Sequence, residues 1–357
     1  MSNPENLLLP PHVEIETKFR NLDLGVFENI EGDRFQIISL IRPAVLSELS
    51  TTGSTIPTPR AEIYEAMDWQ DGRKVAIKVF HENSEEASHI IDRQLAAHAL
   101  LQGAPRIIET HGMGTIRKDG TSHRYVATEL SNGGDFNARI KRGRRSLSMV
   151  VEVAAQIAEG LESIHDQGLV HKDIKPSNVL LSTDGAVISS KLTDFEIVEA
   201  YKVPGAGGNL AAMGTAAIWG TQNDPKKIFG TTGYIAPEYL RGGDVGPKVD
   251  VFALGVTIFN AATGELPFSS YDQATYVHAI ANDSPVSIGS INRAFPLSLV
   301  ELTNDLLSFD PDDRPTSSEA KSRLEDILDE GVPDVILEPM VTPFRKVYAE
   351  DITLETV

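Results

Sequence analysis

The chain has 357 residues, with 32 Lys and Arg against 51 Asp and Glu, a formal net charge of −19, and no cysteine. The missing thiols exclude disulfides, thiolate zinc sites and a cysteine nucleophile. The acidic excess works against nucleic acid or anionic membrane as partners, so any anionic ligand has to be met by local cations or metal.

Hydrophobic residues make up 41% and charged residues 23%, enough for a packed core in one large two-lobed domain or two smaller ones. The opening stretch MSNPENLLLPPHVEIE lacks the basic and apolar regions of a secretory signal. The longest nearly uncharged apolar run, Val251 to Thr263, falls short of the ~20 residues that span a bilayer. A soluble, cytoplasmic protein is expected.

Residues Val13 to Phe19 alternate apolar and polar and read as a weak strand in an N-terminal extension, 1–32. Phe35 to Ile41 is a β-rich run, and Arg42 to Arg60, rich in Ser, Thr and Pro, is a long loop. Glu62 to Met67 and Lys74 to Phe80 form a hairpin around Asp71-Gly72. Ser84 to Gln102 carries Ile90, Ile91, Leu95 and Ala99 at helical spacing, and two further strands are expected at Arg106 to Met113 and Arg124 to Leu130. Ser148 to Gln167 is a long amphipathic helix, short strands flank Asp184-Gly185, and Tyr201 to Asp224 is Gly/Ala-rich with little periodicity. Five strands and one helix followed by a helix-rich half describe an α+β chain of two lobes, 33–131 and 132–328, joined near Leu130 to Gly134, with an acidic tail at 329–357.

Val75-Ala76-Ile77-Lys78, by itself, is a strand with a lysine at its end. His171-Lys172-Asp173-Ile174-Lys175-Pro176-Ser177-Asn178 is more specific, because it fixes Asp, Lys and Asn in a loop after a long helix. Thr193-Asp194-Phe195 follows a second short strand, and Ala236-Pro237-Glu238 comes later. This order, spacing and context resembles the eukaryotic-type serine/threonine protein kinase family from about Asp33 to Leu324, and implies a bilobal fold with a five-stranded antiparallel N-lobe, one helix, and a helical C-lobe.

The resemblance implies roles that suit phosphoryl transfer, a reaction that needs positioning and charge neutralisation more than covalent catalysis. Lys78 would contact the α- and β-phosphates of ATP. Asp194 and Asn178 would hold Mg²⁺, or Mn²⁺ in its place. Asp173 would orient or deprotonate the substrate hydroxyl, and Lys175 would neutralise the transferring group and favour Ser/Thr acceptors. Thr128 would be the gatekeeper, with the backbone of Glu129 and Ser131 on adenine and Asp135 near the ribose. Thr231 would contact Asp173 and Lys175, Glu238 would pair with Arg314, and Asp250 would anchor the catalytic loop. His171 reads as a packed residue of that loop.

The chain also departs from the family pattern. The glycine slots of the phosphate loop fall on Ile56, Thr58 and Ala61, among Pro57 and Pro59, which offer less backbone approach and fewer N–H donors. Arg42 or Arg60 could add positive charge there, although solvent-facing arginines are the commoner case. The helix position that should pair with Lys78 is Gln94, and the residue after Asp194-Phe195 is Glu196 in place of glycine, a carboxylate that could be a third metal ligand but is expected to point away or stiffen the segment. Lys172 replaces an arginine and would grip phosphate only as a point charge. The 45 residues from Asp194 to Glu238 hold Thr215, Thr221, Thr231 and Thr232 as candidate phosphoacceptors.

Two functions from different classes follow. One is an active kinase acting on Ser or Thr of a protein substrate, with self-association for autophosphorylation. The other is a pseudokinase that binds partners through the same fold, supported by the altered loop, Gln94 and Glu196. Small-molecule phosphotransferases share the Asp-to-Asn spacing but lack an Ala-Pro-Glu shelf, so Gly230 to Glu238 favours a protein substrate. The basic run Arg139 to Arg145 is read as a solvated connection between helices.

Overall fold

The structure is a computed structural model and describes residues 34–42, 60–81, 85–118, 121–143, 145–185, 187–201, 231–242, 245–268, 273–333 and 335–337. The N-lobe is a five-stranded antiparallel sheet in the order β1-β2-β3-β5-β4, with β1 at Phe35–Arg42, β2 at Arg60–Asp68, β3 at Arg73–His81, β4 at Thr110–Lys118 and β5 at Thr121–Glu129. Between β3 and β4 lies α1, Glu85–Leu100. Gly72, at φ 72, closes the β2–β3 turn in the left-handed region open to a residue without Cβ.

Period-two alternation decides what β3 presents to each side. Val75, Ile77 and Val79 enter the sheet's core with Tyr64, Ala66, Tyr125 and Ala127. Lys78 therefore shares the opposite face with Phe80, which packs against Ile91 of α1 and Val126 of β5. Its register is fixed by pairing with Ile63 on one side and Val126 on the other. On α1 the buried residues are Ala87, Ile90, Ile91, Gln94, Ala97 and His98, a stripe at three- and four-residue spacing that places Gln94 at its centre.

β4 begins at Thr110, four residues later than the sequence pattern suggests. Arg106 to Ile108 instead turn towards the C-lobe: Arg106 has φ 56, and the Ile108 N–H donates to the carbonyl of Leu192 at 3.0 Å. The apolar side chains of Ile107 and Ile108 join the C-lobe core, so their hydrophobicity serves contact between lobes.

In the C-lobe, α2 spans Phe136–Lys141 and α3 spans Leu147–Asp166, started by the Ser146 hydroxyl accepting from the Met149 N–H. The helix Pro247–Thr263 is apolar all round and buried along almost its whole length, as a central core helix must be. Two short hairpin strands, Val179–Asp184 and Val187–Leu192, lie under the cleft.

The basic run differs from the sequence expectation at one end. Arg145 is buried, and its guanidinium donates to the carbonyls of Ala261, Ile140 and Gly143. The tail segment Ile336–Leu337 pairs with Arg145–Ser146, and Leu337 enters the core, so this part of the tail is strapped to the lobe.

Candidate active site

The lobes meet at Glu129 to Asp135. The Glu129 side chain turns to Lys191 and to the Glu109 N–H, while the Asn132 amide exchanges bonds with the Thr183 backbone at 2.8 and 3.0 Å. The Glu129 N–H is taken by the Glu109 carbonyl at 2.9 Å, so any base contact from this residue has to come through its carbonyl. Thr128 pairs with Ala76 and Thr110 within the sheet, and Ser131 lies just past the strand end, half-buried. Asp135 caps α2, accepting from the Ala138 N–H at 2.7 Å. A Cβ on Gly133 would lie 2.6 Å from the Leu181 carbonyl oxygen, so the connection packs this closely only with glycine there.

On the C-lobe side Asp173 is the centre of a bonded cluster. Its carboxylate accepts from Lys175 Nζ at 2.6 Å, Asn178 Nδ2 at 2.9 Å, Thr231 Oγ1 at 2.9 Å and the Thr231 N–H at 3.2 Å. Lys175 Nζ also donates to Thr231 Oγ1 at 2.6 Å. The loop is held from below by Asp250, fully buried in the central helix, which accepts from the His171 N–H at 2.8 Å, the Lys172 N–H at 2.7 Å and His165 Nε2 at 2.9 Å. Those bonds over-determine a backbone that carries Lys172 at φ 69, a conformation a lysine adopts only under constraint.

Facing this cluster, Lys78 Nζ donates to Asp194 Oδ1 at 2.9 Å and to Glu196 Oε1 at 2.8 Å. Glu196 does not point away. Asp194 has φ 71 and Glu196 lies in the turn after Phe195, so the chain bends between them and brings both carboxylates onto Lys78; no strand alternation in the sequence signals that joint contact. Gln94 sits where its register predicts but does not bond Lys78: its Nε2 donates to Asp194 Oδ1 at 3.2 Å.

Burial acts on Lys78 to lower its pKa, but Asp194 and Glu196 outweigh it and hold the ammonium above its ordinary range. Burial likewise opposes ionisation of Asp194, and Lys78 overrides it, holding that carboxyl well below the usual carboxylate range. Glu196 is pushed up, first by burial and then by the charge of Asp194.

Phe195 fixes the segment between them. Its ring is fully buried, 5.0 Å from that of His98 on α1 and 5.4 Å from that of His171. His171 Nε2 lies 3.1 Å from the Thr193 carbonyl, and the Thr193 N–H donates to the Asn178 carbonyl at 3.1 Å, which ties the two clusters together. His98 Nδ1 contacts Thr110 Oγ1 at 2.9 Å, and its pKa is pushed down to about 4, mainly by burial and further by Lys78. Sequence reading did not identify His98, nor Glu199, whose carboxylate takes Lys172 Nζ at 2.6 Å while the ammonium lies 4.7 Å from the centre of the Tyr239 ring.

The brace expected between Glu238 and Arg314 is present, with two bonds at 2.6 and 2.8 Å. Of the altered phosphate loop, Ile56 and Thr58 lie outside the described residues, as do Thr215 and Thr221. Ala61 packs beside Phe80, Ile91 and Val126, and Arg42 is exposed. Among the described residues no helix is long and apolar enough to cross a membrane.

A model of the protein kinase domain matches residues 60–324. The serine/threonine-protein kinase PknA of Mycobacterium tuberculosis (strain ATCC 25618 / H37Rv) is 34% identical over 212 residues, covering 58% of this chain and 45% of that one. PknL of the same strain is 32% identical over 210 residues, 58% of this chain and 47% of its own. A probable serine/threonine-protein kinase of Clostridium acetobutylicum is 27% identical over 258 residues, 71% and 36% respectively. The chain thus spans about half the length of these relatives or less. The matched region runs from β2 to the helix Ser317–Glu330 and contains both clusters, and the chain belongs to the protein kinase domain family.

Proposed function

We propose that this chain transfers the γ-phosphoryl group of ATP to Ser or Thr hydroxyls of a protein substrate. The observation that carries this reading is the Asp173 carboxylate, held by Lys175, Asn178 and Thr231 opposite the Lys78–Asp194 pair. A carboxylate gripped by that many donors keeps its orientation, which is what a group that positions a hydroxyl for in-line attack requires. Lys175, bonded to Asp173, carries its charge to the place where negative charge develops on the transferring group. Lys78 supplies the cation for the α- and β-phosphates, and the backbone beyond Thr128, at Glu129 and Ser131, would meet the base, with Asp135 on the ribose side.

The donor set fits a hard divalent cation. Asn178 spends both of its amide bonds through Nδ2, and Asp194 receives Lys78 and Gln94 on Oδ1. Among the described residues, Asn178 Oδ1 and Asp194 Oδ2 are therefore left as oxygen ligands, the type Mg²⁺ or Mn²⁺ prefers. When bound, the ion would neutralise phosphate charge that this acidic chain meets with few cations of its own. Protein is favoured over a small molecule as acceptor because Thr231 to Glu238 is built as a braced shelf beside Asp173. Neither nucleic acid nor membrane suits a −19 chain as partner.

The test is incubation with labelled ATP, Mg²⁺ or Mn²⁺ and a generic protein substrate. Wild type should transfer label to Ser or Thr, and Asp173→Asn should lose about 10²–10⁴-fold in rate, the range for a positioned acid–base group. The same fold as a non-catalytic binding module is the competing reading. Its support is that Lys78 is already engaged by two carboxylates of the chain, and it wins if wild type and Asp173→Asn are equally inert.

A further inference from the structure

Lys78 needs a fixed carboxylate to hold its long side chain in place, and the helix that should provide one offers Gln94. We propose that Glu196 is the positioning residue for Lys78: the carboxylate has moved from α1 to the segment after Asp194, and Gln94 is its matched counterpart. The inference rests on the kinase reading above for its meaning, but its geometry stands alone. Glu196 Oε1 is 2.8 Å from Lys78 Nζ, against 2.9 Å for Asp194 Oδ1, and both side chains are largely shielded, with 17% of Lys78 and 23% of Glu196 exposed.

Gln94 completes the exchange. It is fully buried, and its Nε2 faces Asp194 Oδ1 at 3.2 Å. A glutamate at that position would set a third carboxylate beside Asp194 and Glu196, where like charges at short range are strongly unfavourable. The amide instead donates a hydrogen bond to Asp194 and adds no charge. Glycine at 196 with glutamate at 94, or glutamate at 196 with glutamine at 94, both give Lys78 one acid besides Asp194. The mixed combinations give none or two.

The relocation changes what controls the site. A lysine paired to α1 is placed by the position of that helix, whereas Lys78 is placed here by residues 194–196. That segment is pinned by Phe195 between His98 and His171, and three residues beyond Glu196 it is tied down again by Glu199 on Lys172. Disturbing Glu199 should therefore reach Lys78 along the chain, through a segment that α1 touches at Gln94 and His98.

The experiment is a swap cycle on the full chain: Glu196→Gly, Glu196→Gln, Gln94→Glu, and the double variant Gln94→Glu/Glu196→Gly. Binding of ADP in EDTA is measured by titration calorimetry, KM for ATP and kcat are measured separately with Mg²⁺ and a protein substrate, and thermal unfolding checks that each variant is folded. Glu196→Gly and Glu196→Gln should each weaken ADP binding and raise the KM for ATP by about tenfold, the scale of one hydrogen bond to a charged group. Gln94→Glu alone should also impair binding, and the double variant should recover most of what Glu196→Gly loses. A double variant no better than Glu196→Gly, or a Glu196→Gln that binds ADP as well as wild type or better, overturns the assignment. Absence of phosphoryl transfer by wild type would remove the kinase reading, while the ADP series would still report on Glu196.

Discussion

The pair between Glu238 and Arg314 allows a worked prediction. The Arg314 side chain is 0% exposed and Glu238 is 16% exposed. The guanidinium donates five bonds: two to Glu238, and one each to the carbonyls of Ser308 at 2.7 Å, Lys248 at 3.0 Å and Phe309 at 3.1 Å. Its centre lies 5.0 Å from that of the Phe252 ring. In Glu238→Ala the three carbonyls and the ring remain, but they are dipoles; the one carboxylate bonded to Arg314 among the described residues is gone, and a desolvated cation loses that counter-charge. Breaking one side of such a pair costs about 3–5 kcal/mol, against a total of about 5–15 kcal/mol for a typical domain.

Glu238→Gln should lie between Glu238→Ala and wild type, because its amide oxygen still accepts one bond. Arg314→Leu/Glu238→Leu should cost less than Glu238→Ala, because it buries no lone charge. Urea unfolding followed by circular dichroism gives the ordering directly. The pair also braces the segment that begins at Thr231, which reaches Asp173 and Lys175, so phosphoryl transfer should fall alongside stability. A cost for Glu238→Ala below about 1 kcal/mol, the range of an exposed surface pair, would refute the reasoning.

Asp250→Ala removes the acceptor for two backbone N–H groups and His165, and should cost about 3 kcal/mol or more while releasing the catalytic loop, read as a lowered urea midpoint together with loss of Asp173-dependent transfer. His98 is held neutral in the folded chain, with its pKa at about 4, by burial and by Lys78 against the pull of Asp194. Because the unfolded chain takes up that proton first, near pH 6.5, the contribution is complete above that pH and is lost as pH falls towards 4, about 3 kcal/mol in all. Urea midpoints of wild type should therefore drop more steeply on acidification than those of His98→Leu, and parallel profiles would contradict the assignment. Lys172 already has a carboxylate in Glu199, so phosphatase treatment should leave the transfer rate of wild type within about twofold, whereas a roughly tenfold fall would show that a phosphate does what Glu199 is assigned to do here.

The parts of the site legible in the sequence are those written in local periodicity. The strand of β3 and the helix of α1 are read from their periodicity, while Lys78 and Gln94 are singled out by resemblance; alternation along β3 and the buried stripe of α1 are why the structure brings the two to one place. The cluster of Asp173, Lys175 and Asn178 was legible because all three lie within one loop, and Thr231 was added by resemblance. The misplacement of β4 has a different origin: Ile107 and Ile108 look like strand residues, but the surface they cover belongs to the other lobe, at Leu192. Arg145 failed for the same kind of reason. A buried guanidinium is called for by the carbonyl of Ala261 near the end of the central helix, 116 positions along the chain, and nothing around Arg145 signals that demand.

Charge ties these observations together. Read as a total, −19 says only that phosphate is unwelcome. At the site, every cation proposed to meet ATP is already held by an acid of the chain: Lys175 by Asp173, and Lys78 by Asp194 and Glu196. A nucleotide entering here does not find bare ammonium groups; it exchanges carboxylates for phosphate oxygens, so the net gain is the difference between two charge-assisted interactions. That difference is small unless the displaced carboxylates acquire a positive partner of their own, and Asp194 can do so through its free Oδ2 while Glu196 stays on Lys78. The acids that engage the lysines in the resting site thus make nucleotide binding depend on a divalent ion, and ADP should bind wild type more tightly in Mg²⁺ than in EDTA.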